Sequence, residues 1–214
     1  MVVAIDGPSG VGKSTVASAV ADALGIPYLD TGAYYRMATL IALRRGVPAD
    51  DAAAILGALE TVAVDFADGH LLLDGDDVTG ELRSAEVTAA VSAVASHPGV
   101  RRAVVDLQRR WVRDHGGRAV VEGRDIGTVV FPEAPVKVFL TADAETRARR
   151  RARDSEAAGK PLESLIAEMA RRDAADSSRE VSPLRAADDA MTIDTSRLSI
   201  TEVVLRVLDL VGRV

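Results

Sequence analysis

The feature that most constrains how this 214-residue chain can fold lies at its start. An apolar run at 2–6 (VVAID) breaks into GPSGVGKS at 7–14 and continues as KSTVASAVADAL at 13–24, closed by Gly25. A short unbroken apolar run bounded by Gly-Pro reads as a buried strand. The stretch 13–24 has helical spacing and stops at a glycine, a helix C-terminal signal. Strand, glycine-rich turn and helix in that order satisfy G-x-x-x-x-G-K-[ST] in the setting its mechanism needs. Glycines let the backbone curl so that several N–H groups converge on phosphate oxygens, and the helix N-terminus adds its positive dipole. Lys13 then reaches the β- and γ-phosphates, and the Ser14 hydroxyl suits Mg²⁺. Gly7, Pro8, Ser9, Gly10, Val11, Gly12, Lys13, Ser14 and Thr15 are therefore expected to hold a nucleoside triphosphate.

The same alternation runs through the rest of the chain. Strands are expected at 27–30, 118–122, 136–140 and 190–194, and helices from the second strand to 46 and over 143–157, 162–177 and 199–212. Alternation of this kind builds a parallel sheet flanked by helices, with ligands at the carboxyl ends of the strands. The middle departs from it. Residues 62–83 carry short β-like pieces punctuated by Asp-Gly turns, which predicts a small β-rich insertion. Two helical stretches follow at 84–96 and 99–114, broken apart by His97-Pro98-Gly99. One α/β core with an insertion is expected, not two independent domains.

Composition narrows the function. There is no cysteine, which excludes disulfides, thiolate metal sites and a cysteine nucleophile. A net charge of −6 argues against a general nucleic-acid or anionic-membrane binder. The start of the chain lacks the basic n-region and long apolar core of a signal peptide, so a cytoplasmic protein is expected. His70, His97 and His115 are scattered without metal-ligand spacing.

Other motifs divide the proteins that carry such a loop. Neither Lys13, Lys137 nor Lys160 stands in an N-K-x-D guanine-reading motif, which excludes a guanine switch. For an acid ending an apolar strand, Asp106, Glu122 and Asp194 compete; VVEGRD, with Glu122, is the best placed. Small kinases remain. An alcohol acceptor benefits from a positioned carboxylate base, whereas a phosphate monoester, with a second pKa near 6, is already largely dianionic. Holding two polyanions in line is work for arginine, which forks onto phosphate. Twenty-three arginines stand against three lysines, and Arg36, Arg124, Arg147, Arg150, Arg151, Arg172 and Arg179 lie near expected strand ends, helix starts or the run RARRRAR at 147–153. A phosphate acceptor is favoured. A kinase for another phosphorylated or hydroxylated metabolite, with Asp125 or Asp30 as base, stays open, as does a nucleotide-dependent regulator of nucleic acid.

Several stretches together resemble the bacterial-type cytidylate kinases. They are IDGPSGVGKST at 5–15, YLDTGAYYR at 28–36, LLLDGDDVTGELRS at 71–84, VSAVASHPGVR at 91–101, EGRDIGTVVFPEAPVKVFL at 122–140 and RRDAADSSREVSPLRAADDAMTIDT at 172–195. The resemblance implies a nucleoside monophosphate kinase fold: a five-stranded parallel sheet flanked by helices, a monophosphate-binding region at about 31–115 and a helical lid at about 146–179. It implies ATP-dependent phosphorylation of CMP and dCMP with Mg²⁺. It assigns Thr31, Arg36, Arg124 and Arg179 to the acceptor phosphate, Arg172 and Asp176 to the ribose hydroxyls, and Ser92, Arg101 and Asp125 to cytosine. A carboxylate opposite the cytosine amino group makes chemical sense, since uracil would meet it lone pair to lone pair. The chain departs from the commonest family pattern at Glu122, where many relatives have Asp, and at Ser14, where glycine is common.

The run RARRRAR then has a reading. Arg147, Arg150 and Arg151 stand at i, i+3 and i+4 and share a helix face, which could close over the triphosphate and neutralise the moving charge. Arg149 and Arg153 fall on another face, open to water or to acids such as Glu145 and Glu156. Residues 157–161 are expected to form a hinge or lid tip. Small-molecule partners only, and a monomer, complete the expectation.

Overall fold

The computed structural model describes residues 1–67, 70–153 and 159–214. The chain divides into two compact units, Met1–Thr31 with Gln108–Val214, and Gly32–Leu107.

The first unit is built on a five-stranded sheet: β1 (Val2–Asp6), β2 (Tyr28–Asp30), β6 (Ala119–Gly123), β7 (Val136–Thr141) and β8 (Met191–Asp194). The strands run in the order β2-β6-β1-β7-β8, and every adjacent pair is parallel. Their sequences explain their places. VVAID and AVVEG are buried at every position, as strands covered on both faces must be. MTID buries only Ile193 and lies at the edge. Helix α1 (Lys13–Leu24) packs Val16, Ala17, Val20 and Ala21, and α8 (Ile200–Val211) packs Val203 and Val207, into one core with Val3, Ile5, Val120, Val138 and Leu140.

Local signals set the helix ends. Gly25, at φ 60°, ends α1, and the amides of Gly25 and Ile26 return to Asp22 and Ala21. Ser199 and Glu202 form a reciprocal capping box at the start of α8. Helices α6 (Ala144–Arg151) and α7 (Leu162–Ser177) pack on each other through Ala148, Leu165 and Met169. The helix expected over 143–157 is seen from Ala144 to Arg151, and 154–158 lie outside the described residues.

In the second unit, α2 (Thr31–Arg44) leads to α3 (Ala52–Glu60), and a three-stranded antiparallel sheet follows, formed by β3 (Val64–Ala67), β4 (His70–Leu73) and β5 (Asp76–Asp77). Asp74 and Gly75, both at positive φ, make the two-residue turn joining β4 and β5, as the Asp-Gly signal predicts. Helices α4 (Ala85–Val94) and α5 (Pro98–Asp114) come next, α5 running past Leu107 into the first unit.

Two local features differ from the sequence expectation. Helix α3 went unread because only Ile55 and Ala58 are buried on it, too narrow a stripe to show a period; Asp51 caps it by accepting the Ala54 amide at 2.9 Å. Helices α4 and α5 are separate, as the His97-Pro98-Gly99 signal predicts, and Pro98 takes the first position of α5, where a proline has no amide to lose. Residues Ile126–Val130 form a wide helical turn where no element was expected.

Candidate active site

The glycine-rich loop leaves the carboxyl end of β1. A Cβ on Gly7 would lie 2.3 Å from the Leu140 carbonyl oxygen on β7, so the loop passes the sheet at a distance only glycine permits. Gly10, at φ 79°, faces the backbone of Arg147, and a Cβ there would lie 2.9 Å from its carbonyl oxygen. Lys13 is buried and its ammonium donates to the Pro8 carbonyl at 2.8 Å. Burial, and then the Arg124 charge, push its pKa down to about 7, while Glu122 and Asp6 pull the other way.

Beside it, β6 ends in Glu122-Gly123. The Glu122 carboxyl is buried, and its pKa is raised by burial and by Asp30 nearby. The Tyr28 hydroxyl donates to it at 2.6 Å, and the Ser14 hydroxyl is a further hydrogen-bond neighbour. The other two strand-end acids do not share this setting. Asp106 is exposed on α5, and Asp194 accepts the amide and hydroxyl of Ser196 in a surface turn. Thr31 is buried and donates its hydroxyl to the Glu122 carbonyl at 2.6 Å.

The arginines are held individually. Arg124 donates Nε to Asp176 Oδ2 at 3.0 Å and Nη1 to the Gly7 carbonyl at 3.1 Å. Arg179 takes the other Asp176 oxygen, so one buried carboxylate aligns two guanidiniums. On α6, Arg147 pairs with Asp173 of α7. Arg150 reaches the loop itself, donating to the Val11 carbonyl at 3.1 Å and to Thr195 Oγ1 and O at 2.9 and 2.8 Å. Arg149 forms an exposed ion pair with Glu145, as its face predicts, whereas Glu156 lies outside the described residues. Arg151 and Arg172 are half-buried, and Arg172 adds to the positive field on Lys13.

Within the second unit, Arg36 donates to the Leu82 carbonyl at 3.1 Å and to Thr88 Oγ1 at 2.9 Å. Arg101 is buried, donates to the Ala95 carbonyl at 3.1 Å and lies 5.0 Å over the Tyr35 ring. Ser92 is half-buried on α4, and Asp125 is buried at the start of the wide turn in the first unit.

The structure therefore brings Lys13, Arg124, Asp176, Arg179, Arg147 and Arg150 around one loop of the first unit, and it adds residues that sequence reasoning missed. These are Asp6, Tyr28, Asp173 and Thr195. Asp6 and Thr195 carried a weak signal, each being polar at the end of an apolar strand; Tyr28 and Asp173 carried none.

A phosphate-cradling loop at the carboxyl edge of a parallel sheet, with buried lysine and aligned arginines, defines a P-loop phosphotransferase. The cytidylate kinase family model matches residues 3–213. The cytidylate kinase of Mycobacterium leprae is 52% identical over 213 residues, covering 99% of this chain and 95% of that one. That of Mycobacterium avium is 54% identical over 217 residues, with the same coverage of 99% and 95%. This chain belongs to the cytidylate kinase family. In fold it is also similar to the shikimate kinase of Bacteroides thetaiotaomicron, with a TM-score of 0.50 at 16% identity over 99% of this chain and 98% of that one. Among the described residues no helix is long and apolar enough to cross a membrane.

Proposed function

We propose that the chain transfers the γ-phosphoryl group of ATP to CMP and dCMP by direct in-line displacement. Family membership supports the acceptor class. The observation that carries the reading is the bond from Arg124 to the Gly7 carbonyl. It sets an acceptor-side guanidinium against the first residue of the loop that cradles the donor phosphates. A dianionic monoester needs no general base, so positioning and charge neutralisation are what the residues must supply. Lys13 and the loop amides stabilise the transferring group. Arg124 and Arg179, aligned by Asp176, and Arg36 and Thr31 hold the acceptor phosphate. Arg172 and Asp176 serve the ribose, and Ser92, Arg101 and Asp125 read the base. Arg147 and Arg151 neutralise the moving charge, and Arg150 acts through the loop it bonds.

The Ser14 hydroxyl beside the Glu122 carboxyl offers hard oxygen donors, which fit Mg²⁺ held chiefly by nucleotide phosphates. When bound, Mg²⁺ would neutralise charge on the β- and γ-phosphate oxygens. Ser14 would hold it directly.

The test is ADP release with ATP and Mg²⁺, offering CMP, dCMP, UMP, AMP and shikimate in parallel. Rapid turnover with CMP and dCMP, slow turnover with UMP and none with shikimate are expected. ADP release indifferent to the acceptor, or fastest with shikimate, would overturn the reading.

A further inference from the structure

Asp6 ends β1, is 5% exposed, and pairs in register with Gly123 on β6 and Phe139 on β7. Its two carboxylate oxygens are both used. Oδ1 accepts the amide of Ile126 and Oδ2 the amide of Gly127, each at 2.8 Å. These amides open the wide turn Ile126–Val130, and they follow directly on Arg124 and Asp125. The far side of the turn is held as well, since Arg109 donates to the carbonyls of Val129 and Val130 at 2.9 Å each. Gly127 comes so close that a Cβ there would sit 3.5 Å from Asp6 Oδ2 and 3.1 Å from the Lys137 stem. Asp6 also immediately precedes Gly7, whose carbonyl accepts Arg124. Three hydrogen bonds thus tie the start of the donor loop to the segment 124–127.

We propose that Asp6 is a positioning residue: by holding the amides of Ile126 and Gly127 it sets where Arg124 and Asp125 stand against the phosphate loop. The inference rests on the reading of Arg124 and Asp125 as acceptor residues. A carboxylate is the side chain required. Asparagine has one acceptor oxygen, and its amide group would turn a donor toward a donor, so only one of the two amides could be held. The charged groups around Asp6 are Lys13 from α1 and Asp125 from the turn; Gly123 and Phe139 on the adjoining strands carry none. Lys137, passing Gly127, bonds its ammonium to Asp189 at 2.7 Å. Burial raises the Asp6 pKa to about 6, with its two amide donors working against the shift and Asp125 adding to it.

The experiment compares the wild type with Asp6→Asn in two ways. Kinetically, KM for CMP should rise about tenfold, with KM for ATP within about twofold, because the acceptor segment loosens while Lys13 and its loop remain; about tenfold corresponds to one weakened charge-assisted contact. General damage would raise both constants together. Hydrogen exchange in the free proteins should show the amides of Ile126 and Gly127 losing about tenfold protection in the variant. If the variant does not fold, the wild type alone decides: corrected for intrinsic rates, protection of these two amides should fall as pH drops through 6. The free protein is used because the acceptor phosphate titrates in the same range. Equal rises in both KM values, no rise in either, or amide protection unchanged by substitution and by pH would overturn the proposal. Absence of any CMP-dependent turnover in the wild type would sink the functional reading instead, and the exchange measurement would still judge Asp6.

Discussion

Replacing Lys13 by methionine should make the chain nearly inactive and, at neutral pH and below, more stable. Lys13 is 7% exposed, and its ammonium donates to the Pro8 carbonyl. Its pKa falls from 10.5 to about 7. At ~1.4 kcal/mol per unit, keeping it charged costs the folded state ~5 kcal/mol relative to the unfolded chain. That cost is already net of the attraction to Glu122 and Asp6, so methionine, which fills similar space, forfeits in addition only the Pro8 bond, worth ~1 kcal/mol. The net gain below pH 7 is ~4 kcal/mol, or roughly 8–16 °C in Tm for a chain of this size.

The sign with pH is determined. Between 7 and 10.5 the unfolded chain still holds a proton that the folded lysine has released, so wild-type stability rises across that window. The variant lacks this gain, and its lead should shrink to nothing or reverse near the top of the window. Thermal melts of both proteins at several pH values isolate the difference, because all other titrating groups are shared. Acceptor-dependent ADP release should fall about 10²–10³-fold or more. A variant no more stable than wild type below pH 7, or a lead that does not shrink as pH rises, would refute the reasoning.

Asp176→Asn removes the charge that aligns Arg124 and Arg179; stability should drop by ~2–4 kcal/mol in a thermal melt, and millimolar CMP, bound more tightly by the wild type, should widen the gap. Gly7→Ala must push a methyl against the Leu140 carbonyl, so a loss of ~3 kcal/mol together with ATP binding is expected by melting and by titration with ATP. Ser199→Ala breaks the capping box of α8, away from the loop; Tm should fall by roughly 2–4 °C, for ~1 kcal/mol, with turnover unchanged.

The sequence by itself determined the elements whose cause is local. VVAID, Lys13–Leu24 with Gly25, and Leu162–Ser177 stand where apolar runs, period and glycine put them. The phosphate loop was legible because its glycines, lysine and serine are contiguous, and the Asp-Gly turn because two adjacent residues specify it. Helix α3 escaped because two buried residues make no period.

What only the tertiary structure decided is which charge meets which. Nothing local says that Asp176 takes Arg124 across 52 positions, that Arg150 crosses 139 to reach Val11, or that Asp6 crosses 120 to hold Ile126. Arg149 takes Glu145, as its face predicts, but nothing local says that of the two arginines sharing the other face Arg147 goes to Asp173 and Arg150 to the loop and Thr195. Helical spacing places side chains on a face, but partners are chosen by the packing of other elements against it. A parallel sheet brings its strand ends to one edge whatever their separation in sequence, and burial there obliges each ionised group to find a partner.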